Sequence, residues 1–136
     1  MGVTYRVGVD DLRADELRGG FFVGWPDPPD ADAHLRLLRG SYRAVLARDG
    51  DVVVGFVNAV SDGVCAAYVP LLEVLPAWQR RGIGAELVRR MVAELAHLYM
   101  VDLCCDPGLA PFYERLGFAR AAGMVQRNYP RQACRA

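Results

Sequence analysis

Leu72-Glu73-Val74-Leu75-Pro76-Ala77-Trp78-Gln79-Arg80-Arg81-Gly82-Ile83-Gly84 carries a strand, a turn and the start of a helix within thirteen residues. The apolar run ending at Leu75 stops at Pro76, and the glycines at 82 and 84 clear side chains from the point where a helix begins. The first N–H groups of a helix have no partner inside it. Together with the helix dipole they form a site for an anion. The backbone of Arg80 to Ala85 can therefore cradle a pyrophosphate, with Arg80 and Arg81 adding positive charge. A P-loop is excluded, because no Gly-Lys-Ser/Thr follows. A dinucleotide fingerprint is disfavoured: its third small position falls on Leu87, although Asp102 lies at a suitable distance.

Downstream of the turn, Ile83, Leu87, Val88, Met91, Val92 and Leu95 recur with helical spacing and mark a buried face. Glu86 with Arg90, and Arg90 with Glu94, fall four apart on the wet side. Upstream, the sequence reads as a meander. Tyr42–Arg48 and Val52–Val60 are strands joined at Asp49-Gly50, a hairpin signal. Ser61-Asp62-Gly63 turns into a third strand of the meander, Val64–Val74. Pro70 lies inside that strand. Proline cannot donate to a ladder, so a bulge or an unpaired edge is expected there.

The ends complete the pattern. Thr4–Val9 is a first strand, Asp10 or Asp11 starts a helix to about Arg18, and Gly19-Gly20 stops it. Phe21–Asp30 holds Pro26, Pro28 and Pro29 and is a loop. Asp30 or Asp32 caps a second helix through Leu38, closed by Gly40. Tyr99–Cys105 is a short apolar strand, Asp106-Pro107 a cap with proline at the first helical position, and Ala110–Leu116 a short helix. Phe118–Tyr129 reads as one or two strands. The predicted order is strand, two helices, three strands, helix, strand, helix, strand.

Composition narrows the classes. The 136 residues fit a single domain, 1–136, and 53% of them are hydrophobic, enough for a sizeable core. Sixteen basic and sixteen acidic residues cancel, which disfavours a general nucleic-acid binder. No apolar stretch in Met1–Asp10 fits a signal peptide, and no run is long enough for a membrane span. A cytoplasmic location is the expectation. Cys65, Cys104, Cys105 and Cys134 show no metal-binding spacing. They read as buried free thiols in a reducing compartment, and no metal is expected.

Gln79-Arg80-Arg81-Gly82-Ile83-Gly84 resembles the acyl-CoA signature of the GCN5-related N-acetyltransferase (GNAT) superfamily: glutamine or arginine, two variable positions, glycine, one variable position, then glycine or alanine. Val74 and Pro76 precede it with the family's spacing. Phe112-Tyr113-Glu114-Arg115-Leu116-Gly117-Phe118 is similar to the family's late helix and turn, about 30 residues on. The element order agrees over nearly the whole chain, least well over Gly19–Asp32. The resemblance implies a mixed α/β fold: a mostly antiparallel sheet, splayed between its fourth and fifth strands and flanked by about four helices. It also implies acetyl-CoA as co-substrate, with pantetheine in the splay against the backbone of Leu72, Glu73 and Val74. The pyrophosphate would lie on Gln79, Arg80, Arg81, Gly82, Ile83, Gly84 and Ala85.

Attack of an amine on a thioester needs a base for the ammonium proton, a donor for the oxyanion and an acid for the departing thiolate. A fourth-strand N–H can serve the oxyanion. The resemblance places Tyr113 near the sulfur as the acid. Glu73 is the candidate base, directly or through water, with Asp102 as the alternative. His34 and His97 read as solvated helix residues outside the chemistry. Asp106 departs from the family pattern, in which asparagine seven residues before the tyrosine reaches the cofactor; an ionised aspartate caps a helix but cannot donate.

Phe21, Phe22 and Trp25 occupy the family's variable acceptor wall and suit an apolar or aromatic amine. A plug anchoring the loop is the competing reading. Gly20-Phe21-Phe22 and Ser61-Asp62-Gly63 are faintly similar to the serotonin-type arylalkylamine branch. The expected activity is acetyl transfer from acetyl-CoA to a small-molecule amine in a ternary complex. The alternatives are a protein or peptide amino group as acceptor, or a non-catalytic acyl-CoA-binding module. Neither nucleic acid nor membrane is an expected partner, and the family pattern admits a homodimer.

Overall fold

A computed structural model describes residues 2–136. Its centre is a five-stranded sheet in the order β1 (Thr4–Val7), β2 (Arg43–Asp49), β3 (Val52–Ser61), β4 (Ala66–Val74) and β5 (Met100–Asp102). The first four strands pair antiparallel, and β5 runs parallel to β4. Helix α1 (Ala31–Arg39) covers one face, α2 (Ile83–Glu94) covers the other, and the short α3 (Ala110–Glu114) follows β5. The mixed, mostly antiparallel fold expected from the sequence is the one observed.

Alternation along the strands fills two cores. Leu46, Val53 and Phe56 meet Leu12, Leu17, Phe22 and Leu38 beneath α1. Val45, Val57, Val69 and Leu75 meet Ile83, Leu87, Met91 and Leu95 of the α2 segment. The predicted face of α2 holds except at Val92, which is 37% exposed. On the wet side Glu86 bonds Arg90 at 2.7 Å as expected, but Glu94 turns to Arg43 at 3.3 Å instead of to Arg90. A Cβ at Gly55 would lie 3.1 Å from Leu87 Cδ1 and 3.2 Å from the Glu73 carbonyl. The missing side chain lets the first turns of α2 lie close on the sheet.

Several features differ from expectation. The segment after β1 forms only a 3-10 turn, Ala14–Leu17, because its acidic residue points inward. Glu16 is buried and bonds Arg48 at 2.6 Å, while its other oxygen accepts from the Arg13 N–H at 2.8 Å. Second, α1 is capped as expected by Asp30, whose carboxylate accepts from the Ala33 N–H at 2.8 Å, but its His34 is 1% exposed rather than solvated. Third, Phe118–Tyr129 forms no strand. Its first half, Ala119-Arg120-Ala121-Ala122-Gly123, holds weak strand formers. The fifth strand is also shorter than predicted, three residues only.

No helix of the described residues is long and apolar enough to cross a membrane.

Candidate active site

The parallel pairing of β4 with β5 covers Ala66↔Met100, Ala67↔Val101 and Tyr68↔Asp102, and then stops. From Val69 to Val74, β4 keeps β3 on one side and has no strand on the other. Pro70 sits where the strands part. Across β3 the register also shifts there: Asn58 pairs with Leu71 and Val60 with Tyr68, which leaves one extra residue in β4. The bulge and the unpaired edge expected of Pro70 are both present.

The parting opens a groove of about 420 Å³. Val69, Pro70, Leu71 and Leu72 of β4 form one wall. Cys104, Cys105 and Asp106, which follow β5, form another. Leu109 and Tyr113 close it from the α3 side, and Val125 and Arg127 line it from the C-terminal segment.

At the far end of β4, Pro76–Trp78 makes a 3-10 turn, and Arg80 (φ 64) and Gly82 (φ 82) reverse the chain into α2. A positive φ strains any residue with a Cβ, so glycine at 82 is the low-energy choice. The first helical bond runs from the Glu86 N–H to the Gly82 carbonyl at 3.1 Å. The N–H groups of Ile83, Gly84 and Ala85 lie ahead of that ladder. Ile83 anchors the turn, 3% exposed, while Arg80 and Arg81 are exposed. Gln79 Nε2 donates to the Val74 carbonyl at 2.9 Å, tying the turn to the strand. Gln79 thereby braces the loop, and Val74 presents its side chain, near Gly84, rather than a free carbonyl.

Tyr113 packs edge-on against Phe112 and Phe118, with ring centroids 4.9 and 5.8 Å away. Burial, and the nearby Cys105 thiol, push its hydroxyl above the ordinary tyrosine value, so it keeps its proton at neutral pH. Glu73 alternates to the α1 face and accepts from the Phe22 N–H at 2.7 Å. Burial pushes its carboxyl up, while that N–H acts in the opposite sense. Glu73 is not among the residues lining the groove, although Leu71, two residues earlier on the same face, is. Asp102 is exposed, in register with Tyr68, and stands outside the groove.

Other sequence-derived candidates land differently. Asp106 occupies the N-cap position of the Pro107–Leu109 turn, but its side chain makes no capping bond and is left to the groove. Phe21, Phe22 and Trp25 gather with His34 and Phe56: Phe22 is 4.9 Å from Trp25 and 5.0 Å from His34, and Phe21 is 5.3 Å from Phe56. Phe22 is 3% exposed and none of the three lines the groove, so their observed role is packing. His34 Nε2 is buried among these rings without a hydrogen-bond partner. Burial lowers its pKa to about 4 and keeps it neutral. His97 meets the Tyr42 hydroxyl at 3.0 Å on the surface, away from the groove. The four cysteines are all exposed, against expectation; Cys104 and Cys105 are so because they come after β5 has ended. Cys104, Cys105, Val125 and Arg127 line the groove without a sequence signal for it; the last two lie in the stretch expected to be a strand.

Residues 10–118 match the profile of the Acetyltransferase (GNAT) family. A candidate acetyltransferase of Deinococcus radiodurans R1, solved by crystallography, is 48% identical, with a TM-score of 0.92 over 96% of this chain and 92% of that one. A GNAT family protein of Streptococcus pneumoniae TIGR4 is 28% identical, with a TM-score of 0.77 over 93% and 98%. The N-alpha-acetyltransferase RimI of Mycobacterium tuberculosis is 30% identical over 125 residues, which is 88% of this chain and 78% of that protein.

Proposed function

The chain belongs to the GNAT family of N-acetyltransferases, and on that premise we propose that residues 1–136 act as one domain that transfers acetyl from acetyl-CoA to the amine of a small molecule. The observation that carries this reading is the break in β4–β5 pairing after Tyr68, with Tyr113 on the groove it opens and a glycine turn at the far end of β4. Pantetheine runs along the open edge of β4 past Leu72. The pyrophosphate meets the N–H groups that open α2, with Arg80 and Arg81 beside it.

The amine attacks the thioester carbonyl directly. Its proton passes through a water to Glu73, whose raised pKa brings it closer to working pH than an ordinary carboxylate. An N–H on the open edge of β4 receives the developing oxyanion. As the C–S bond breaks, Tyr113 donates to the departing sulfur and is reprotonated from solvent. No covalent enzyme intermediate forms. The RimI resemblance favours one second reading, a peptide α-amino group as acceptor, which follows the same steps.

Calorimetric titration with acetyl-CoA, with NAD as control, tests the premise. Micromolar binding of acetyl-CoA alone is expected. A folded sample that binds neither sinks the reading. CoA release across a panel of small amines and N-terminal peptides then separates the two acceptors.

A further inference from the structure

We propose that Arg127 selects the acceptor, and that the acceptor is a small amine carrying a carboxylate on an apolar body; this rests on the acetyl-transfer reading above and names its substrate class. The residues concerned lie on a segment the sequence assigns to strands but the fold leaves unpaired. Between the Phe118 N–H, which donates to the Tyr113 carbonyl at 3.1 Å, and the Arg131 N–H, which donates to the Asn128 carbonyl at 2.9 Å, no backbone N–H of the segment bonds another backbone group among the described residues. The segment is held at its ends instead. Arg120 closes on Glu114 at 3.1 Å. Beyond it, Arg135 bonds Asp27 at 3.1 Å, the Asp27 N–H donates to Gln132 Oε1 at 2.8 Å, and Arg36 donates to the Cys134 carbonyl at 2.8 Å. Suspended between these ties, Val125 and Arg127 line the groove.

Arg127 is the one cation among the groove-lining residues and Asp106 the one carboxylate. The two are not in ion-pair contact, and Arg127 pairs with no acid among the described residues; its only side-chain bond is a 3.5 Å contact to its neighbour's carbonyl at Gln126. It lies near Tyr68, the last residue of β4 paired to β5. The Tyr68 hydroxyl is pushed up by contact with the Cys104 thiol and by burial, and the Arg127 charge acts on it in the opposite sense. This is the end of the groove beside the last β4–β5 pair, at the other end of β4 from the turn that carries Arg80 and Arg81. The walls between are Val69, Leu71, Leu72 and Val125. Arg127 is exposed at the rim of these walls, and a free guanidinium pairs with a planar carboxylate in a fixed, two-pronged geometry. A site built around such a charge discriminates against the analogue that lacks the partner.

Matched pairs test it: L-phenylalanine against phenethylamine, and L-leucine against isoamylamine, with acetyl-CoA fixed and CoA release followed. The native protein is expected to favour the carboxylate member of each pair in kcat/KM. In Arg127→Gln that ratio falls by on the order of tenfold to a hundredfold, the range for losing a charged hydrogen bond, and Arg127→Lys restores part of it. An unchanged ratio overturns the proposal, as does a native protein that turns over no carboxylate-bearing amine. Titration of the same variants with acetyl-CoA keeps the two readings apart. If Arg127→Gln weakens acetyl-CoA binding and leaves the ratio alone, Arg127 is a cofactor contact and the proposal falls. If the native protein does not bind acetyl-CoA, the underlying reading falls with it.

Discussion

The two ends of the open edge of β4 are built by opposite means. At the glycine turn the proposed contacts are backbone N–H groups, fixed by Ile83, Leu87 and Met91 in the core and by the close approach at Gly55. At the other end one wall is the irregular stretch after Phe118, held by side chains: Arg120 on Glu114, Arg135 on Asp27, and Gln132 accepting from the Asp27 N–H. A backbone site keeps its shape while exposed side chains vary. A side-chain site changes with each substitution, which suits it to set the acceptor.

Three measurements sharpen or break that contrast, in order of expected size. His34 is neutral in the fold with a pKa of about 4, against 6.5 ordinarily. Its contribution is complete above pH 6.5 and falls away as the pH drops through 6.5 towards 4, where the unfolded chain takes up a proton and the fold does not. At about 1.4 kcal/mol per pH unit this is about 3 kcal/mol. Denaturant melts between pH 7 and 4 should show a loss of that order that His34→Leu flattens; equal pH slopes in the two proteins would remove His34 as the cause. Next, Tyr113→Phe should lower kcat on the order of a hundredfold while acetyl-CoA affinity stands. Loss of affinity without loss of kcat would make Tyr113 a binding residue. The smallest effect belongs to Asp27→Ala, which removes the Arg135 ion pair, one of the ties of the C-terminal segment. An exposed ion pair of this kind contributes about 0–1 kcal/mol, so melting should barely move while KM for the acceptor rises a few-fold. A matching change in acetyl-CoA affinity would show that the two ends are not independent.

The same contrast decides what could be read from the sequence. The glycine turn, the apolar face of α2, the hairpin at Asp49-Gly50 and the bulge at Pro70 all follow from local rules of periodicity and backbone conformation. The proposed acceptor end follows from tertiary contacts that leave no local trace. Glu16 turning in to Arg48 reduces a predicted helix to one 3-10 turn. The groove position of Cys104 and Cys105 depends on where β5 ends, and the unpaired course of residues 119–128 on the lack of a neighbouring strand. His34 did leave a signal: with Ala31, Leu35 and Leu38 it completes the i, i+3, i+4, i+7 stripe of a buried helix face.

Pro70 has one consequence beyond opening the groove. A bare length of strand edge is a template on which any extended chain can assemble, and proteins that keep one exposed risk clumping at high concentration. Proline presents no N–H, so a second strand laid along β4 would meet a gap where the two strands part. A slender ligand can use the remaining groups one at a time and is indifferent to that gap. The residue that holds the cleft open thus also makes it a poor seat for another protein's backbone.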